Sequence, residues 1–236
     1  MKAILGKKVG ASSLFLEEKV IPVTLIQAGP CYITQIKTKE KDGYFSIQLG
    51  FEKAKKLNKP KLGHLKKLSQ NLKTMLQLKI LKEFRFPSGN ESYKKYKIGD
   101  EIKVDIFDED ESVDVSEITK GKGFTGVVKR WGHKTGPMSH GSDHHREPGS
   151  IGSMFPQRVL KGKKMPGRAG GERLTVKNLK VVKIDPHHNL LVVKGAVPGP
   201  RGTILEIKTE KDKEVMEVRG PTKVGDRSEA EVKGES

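Results

Sequence analysis

Residues 121–173 limit the fold of this chain more than any other stretch. They read GKGFTGVVKRWGHKTGPMSHGSDHHREPGSIGSMFPQRVLKGKKMPGRAGGER, with 11 Lys/Arg against 3 Asp/Glu, a net of 11 − 3 = +8 in 53 residues. The same segment holds 12 of the 26 glycines and four of the 7 histidines. Large aliphatic residues are scarce, and no apolar period of 3.6 or 2 runs through it. Such a stretch cannot bury enough apolar surface to offset the entropy of ordering it. Strongly patterned segments nevertheless follow it. A basic, Gly-rich segment held between folded elements is best explained by a polyanion that orders it. Run out and back, each arm has about 26 residues and, at ~3.3 Å per residue, a reach of up to roughly 85 Å.

The charge of the whole chain points the same way. Lys and Arg exceed Asp and Glu by 46 − 29 = +17. Such an excess favours phosphate-rich partners, because each contact releases condensed counterions. Nor is the charge evenly spread. Residues 53–82 carry ten Lys and no acid, whereas 208–236 carry 7 basic and 8 acidic residues. Clustered charge of this kind is the footprint of nucleic-acid binding.

Cys31 is the only cysteine. It excludes an intrachain disulfide, which suits a reducing compartment, and it opens a strand-like run as a small core residue. No apolar run approaches the ~18–20 residues of a membrane span. The opening MKAILGKKVG has neither a secretory nor a transit pattern. The expectation is a cytoplasmic protein without a membrane.

Short β-branched and aromatic runs occur at 20–27, 31–38, 44–51, 80–86, 101–107, 174–184, 189–197 and 203–207. Gly29-Pro30, Asp42-Gly43, Gly99-Asp100, Asp185-Pro186 and Pro198-Gly199-Pro200 punctuate them, as turns between strands do. About eight short strands with little helix between them predict a mainly β fold, a closed β-barrel. One stretch differs. Leu62, Leu65, Leu68, Leu72 and Leu76 recur at spacings of three and four, the face of a helix. Residues 53–79 are therefore expected to form a partly helical, Lys-rich insertion. The expected organisation is one β-barrel domain over 1–209, this insertion, the long irregular extension of 121–173, and a disordered tail from 210 to 236.

Three motifs in the extension carry candidate chemistry. Gly121-Lys122-Gly123-Phe124-Thr125-Gly126 matches a phosphate-cradling G-x-G-x-x-G. No helix is expected after it, because Trp131-Gly132 and Gly136-Pro137 break the chain, and none of the accompanying kinase motifs follows. A backbone phosphate of RNA suits it better than a nucleotide. His133, His140, His144 and His145 lie near Asp143, but their spacing matches no familiar metal site and no Cys is close. Stacking on bases and donation to phosphates beside Arg146 suits them better. Lys161-Gly162-Lys163-Lys164-Met165-Pro166-Gly167-Arg168 neutralises phosphates between Gly and Pro spacers. Trp131, next to Lys129 and Arg130, is expected as a stacking platform or local anchor.

The run His144-His145-Arg146-Glu147-Pro148-Gly149-Ser150-Ile151-Gly152, the run 161–168, NLKVVKID (178–185) and NLLVVKGAVPGP (189–200) closely resemble the bacterial form of ribosomal large-subunit protein three. ILGKKVG near the start, NKPKLGH (58–64) and GDEIKVDIF (99–107) resemble it as well. The resemblance covers about residues 1–207. It implies a translation-protein-like β-barrel on the outer face of the large subunit. It further implies binding near the 3′ end of 23S ribosomal RNA early in assembly, with large-subunit proteins fourteen and nineteen as neighbours. An extension, here Gly121 to Arg173, would run towards the peptidyl transferase centre.

The RNA-binding residues expected on this basis are Lys122, Lys129, Arg130, Trp131, His133, Lys134, His144, His145, Arg146, Arg158, Lys161, Lys163, Lys164 and Arg168, with Lys7 and Lys8 adding contacts beside the barrel. The tip is expected at Gly149, Ser150, Ile151, Gly152, Ser153, Met154, Phe155, Pro156 and Gln157. Some members carry a methylated glutamine in the tip; the matching position here is Met154, so none is expected there, and Gln157 is out of register. No catalytic residue, metal, cofactor or small-molecule substrate is expected. The rival reading is a non-ribosomal RNA chaperone or translation factor built on the same barrel.

Overall fold

The computed structural model describes residues 2–16, 18–72, 77–86 and 96–209. The predicted tail (210–236) and Leu76 lie outside the described residues. The fold is mainly β: among the described residues there are twelve strands, ten of them in two sheets that share one core and two in a short ladder apart from it. Six of them pair in the order β1-β12-β7-β10-β11-β2, and because β2 also pairs with β1, the ring of hydrogen bonds is complete. These strands are β1 (Lys2–Leu16), β2 (Lys19–Ala28), β7 (Ser112–Ile118), β10 (Arg173–Asp185), β11 (Leu190–Lys194) and β12 (Ile204–Thr209). Closure removes the unpaired edges that an open sheet would expose.

Alternation sends one side of each strand inward. In β12, Leu205 and Ile207 are fully buried while Ile204 and Glu206 are partly exposed, and in β7 Val113 and Val115 face in. Ile4, Leu5, Ile26, Val181, Leu191 and Val193 complete this interior. A buried aliphatic side chain of this size contributes about 1.5–3 kcal/mol.

Strands β3 (Cys31–Lys37), β4 (Ser46–Lys53), β5 (Leu78–Arg85) and β6 (Glu101–Ile102) form a second sheet in the order β5-β4-β3-β6. Ile33, Ile47, Leu49, Phe51, Phe84 and Ile102 from this sheet join the same core cluster as the ring residues. A short helix, α1 (Lys39–Asp42), connects β3 to β4. The predicted insertion contains helix α2 (Lys59–Leu72), whose Leu65 is buried against Leu78 with Tyr32, Leu57, Leu81 and Ile98 around it.

The strand set differs from the expected one in four ways. The eight predicted strands do not share one barrel; four lie in the second sheet. Strand β1 was not anticipated because Gly6, Gly10, Lys7 and Lys8 break its apolar pattern. Its Gly6 answers a packing need, since a Cβ there would sit 2.7 Å from Ile26 Cγ2. Strand β7 was also missed, its seven residues being half polar. The predicted strand 101–107 is strand only at Glu101–Ile102, then turns through a 3-10 helix at Val104–Ile106 that buries Val104 and leads into buried Phe107.

Candidate nucleic-acid interface

The extension grows out of the ring. The last rung between β7 and β10 pairs Ile118 with Arg173. Beyond it the two arms stay hydrogen-bonded: Glu172 O accepts from Thr119 N at 2.9 Å, Ala169 O from Lys122 N at 2.9 Å, and Gly123 O from Ala169 N at 3.0 Å. The ladder ends in the short pair β8 (Phe124–Thr125) and β9 (Gly167–Arg168). The arms approach closely at Gly170, which has φ +71° and where a Cβ would lie 2.1 Å from Lys120 O. Only glycine fits that position without displacing backbone.

A one-turn helix, α3 (Val127–Trp131), follows β8. This helix departs from the expectation of none after the glycine motif. The backbone turns at Gly126, runs five residues and stops at Gly132 in the left-handed region, a conformation glycine adopts at little cost. Val127 is 1% exposed and fixes the turn. Arg130 Nη1 and Trp131 Nε1 both donate to Met165 O at 2.9 Å, so the outgoing arm is stitched to the returning arm. The Arg130 guanidinium lies 4.9 Å and the Lys164 ammonium 6.0 Å from the indole centroid.

Farther out, Gly136 N donates to His145 O at 3.0 Å, and His145 Nδ1 is 2.9 Å from Pro137 O. His144 pairs through Nδ1 with Glu147. His133 is half-buried, whereas His140 and His144 are exposed. Among the described residues no group of three or more His, Cys, Asp or Glu is placed to hold a metal ion. The tip, 149–157, has no regular structure and is exposed throughout. Met154 and Phe155 are 79% and 69% exposed, and Ile151 is exposed beside them.

Cations of the body and of the extension have different partners. In the body Lys2 meets Asp108 and Glu111, Lys37 meets Glu83, Lys79 meets Glu52, and Lys82 meets Glu206. Lys7 pairs with Glu52 at 3.0 Å, and Lys8 donates to the carbonyls of Val197 and Gly199. Burial first, and Lys120 second, lower the pKa of Lys8. At the root of the extension the half-buried Glu117 carboxyl is pushed up, first by burial, beside Glu206, which also accepts from Arg173.

In the extension, Lys122, Lys129, Lys134, Arg146, Arg158, Lys161, Lys163, Lys164 and Arg168 are all exposed. Among the described residues no carboxylate forms a salt bridge with any of them, nor with Arg130. The predicted basic residues of 122–168 therefore line one continuous projection, and Lys7 and Lys8 sit apart from it on the ring. Sequence reasoning missed the exposed apolar side chains interleaved with these cations. Phe124 is 80% exposed, and Met138, Val159 and Leu160 are exposed as well. Their signal was present: Phe124, Met138 and Leu160 each stand beside Gly, Pro, Ser or Lys, and no apolar period draws the set inward.

Comparison with known proteins decides the family. A model of the family described as Ribosomal protein L3 matches residues 37–189. The chain is 53% identical over 212 residues to the large ribosomal subunit protein uL3 of Thermotoga maritima, covering 89% of this chain and 98% of that one. It is 53% identical over 210 residues to the uL3 of Carboxydothermus hydrogenoformans, with 88% and 96% covered. It is 50% identical over 211 residues to that of Geobacillus thermodenitrificans, again with 88% and 96% covered. The chain belongs to the ribosomal protein L3 family. This family is one of ribosomal proteins and not of enzymes. The L3 family match takes in α2, β7 and the whole projection from Gly121 to Arg173.

Proposed function

We propose that this protein is a structural constituent of the large ribosomal subunit. The observation that carries this reading is a contrast in pairing: in the body Lys2, Lys7, Lys37, Lys79 and Lys82 have carboxylate partners, while the projection presents an exposed series of cations without any, interleaved with exposed apolar side chains. A folded RNA supplies phosphates for the first group and stacked, partly dry surface for the second.

In this reading residues 1–209 form a single domain, a translation-protein-like barrel with the second sheet and its helical insertion against it. The barrel binds 23S ribosomal RNA near its 3′ end and helps nucleate early assembly, in the cytoplasm of a bacterium. Proteins fourteen and nineteen of the large subunit are its neighbours. Lys122, Lys129, Arg130, Lys134, Arg146, Arg158, Lys161, Lys163, Lys164 and Arg168 hold phosphates along the projection. Trp131, His133, His144 and His145 stack or donate hydrogen bonds. Lys7 and Lys8 add contacts through the ammonium protons that their protein acceptors leave unused. The tip, residues 149–157, points towards the peptidyl transferase centre and shapes it indirectly.

Stripping of purified large subunits tests this function. A structural constituent stays with the subunit through washing at high salt, because a buried extension cannot leave one contact at a time. Release of most of the chain by a mild salt wash would favour a transiently bound chaperone or translation factor.

A further inference from the structure

The β1–β2 hairpin outruns the ring that holds its base. Strand β12 covers β1 only from Lys2 to Lys7, and β11 covers β2 only from Val23 to Gln27. Beyond those rungs Ser13–Leu16 pair only with Lys19–Pro22, and the last tie to the ring is the bond from Gly195 N to Pro22 O at 2.9 Å. A two-stranded ribbon is marginal by itself, and its bare edges invite pairing or packing.

One face of this free end is uncharged. Phe15 pairs with Val20 and Ser13 with Pro22, and the pleat brings Ala11 to the same side. All five are exposed, Phe15 at 79% and Val20 at 58%. In a chain of net charge +17, residues 11–22 carry one Lys and two Glu, a net of 1 − 2 = −1. An RNA backbone gains nothing from such a surface and is repelled by its carboxylates. Exposed apolar patches of this kind mark contacts with protein.

We propose that the hairpin end docks onto a second protein of the same particle. Its counterpart is an apolar pocket that takes Phe15, rimmed by Lys or Arg that meet the acidic turn at Glu18. The inference rests on the ribosomal reading above, and it adds a protein-facing surface to a chain whose projection faces RNA. A fully desolvated aromatic anchor of this type carries much of the energy of such a contact.

The test places the photocrosslinker p-benzoylphenylalanine at position 15 of the full-length chain, and separately at position 154 in the tip, in assembled large subunits. The expected result is a crosslink from position 15 to a protein peptide with apolar residues beside Lys or Arg, and from position 154 to RNA. Crosslinking of position 15 to RNA, or to nothing while position 154 reaches RNA, overturns the docking proposal and leaves the ribosomal reading intact. A chain that never enters the subunit removes both. In the same subunits Phe15→Glu is expected to weaken the protein contact by about tenfold or more with RNA binding unchanged; an unchanged contact would overturn the proposal.

Discussion

Trp131 donates its indole N–H to the main-chain carbonyl of Met165 at 2.9 Å, across 34 positions of sequence. With Arg130 sharing the same acceptor, this contact joins the two arms of the projection close to its root. Trp131→Phe keeps the ring and removes the donor. It is expected to cost of order 1 kcal/mol locally. Hydrogen exchange should accelerate around 163–167, with the ring strands unchanged. Equal acceleration throughout would mean that the contact supports the whole fold.

Gly136→Ala tests the second crossing. A Cβ there would lie 2.0 Å from His144 O, and no side-chain rotation relieves a clash with backbone. The arms are expected to separate between 136 and 145 while the ring keeps its melting temperature. Protease cleavage confined to the outer projection would be the sign; a fall in ring stability would contradict it.

Salt dependence reports the phosphate contacts. Replacing Lys161, Lys163 and Lys164 together with Gln should reduce the slope of log K against log salt by about 2 to 3, at ~0.7–0.9 per contact. The equivalent change at Lys2 and Lys37, which have carboxylate partners, should leave the slope nearly unaltered. Equal effects at both places would deny that the projection is the main RNA-binding surface.

The stability of the body should fall in acid. Glu52 is held below its ordinary range by hydrogen bonds from Lys79 and Lys7, and Glu83 by one from Lys37. A depressed folded-state value gives stability that is complete above the unfolded value, about 4.3, and is lost as pH falls through the folded values. Lys37 is shifted upward by Glu83, so its share is present below its unfolded value and is lost only in strong alkali. Glu52→Gln with Glu83→Gln should flatten the decline in denaturant midpoint between about pH 5 and 3. An unflattened decline would assign acid sensitivity to other groups.

Cys31 offers a probe of the core. It is fully buried where the ring meets the second sheet, and burial pushes its thiol up to about 12. Thiol reagents should modify it only at the rate of global unfolding. Modification much faster than unfolding would reveal local opening between the sheets.

Much of this was legible in the sequence, and the rest has physical reasons for having been hidden. The extension stood out because nothing between Gly121 and Arg173 repeats at a period that could bury it. The insertion helix was readable from leucine spacing, and Leu65 of that face is buried against Leu78. Strand β1 was not readable, because its glycine and lysines answer to contacts with distant residues: Gly6 to Ile26, Lys7 to Glu52, Lys8 to Val197. The division into ring and second sheet depends on pairings such as Lys2 with Thr209, which join opposite ends of the described chain. Local pattern holds no record of those.

Hydroxyl-radical footprinting of large-subunit RNA tests the central claim most directly. It compares the full-length protein with one in which residues 124–170 are replaced by a short Gly/Ser linker. The account predicts that both protect a common site near the 3′ end. Only the full-length protein should add protection towards the peptidyl transferase centre. Identical footprints from the two proteins, or no defined footprint from either, would contradict it.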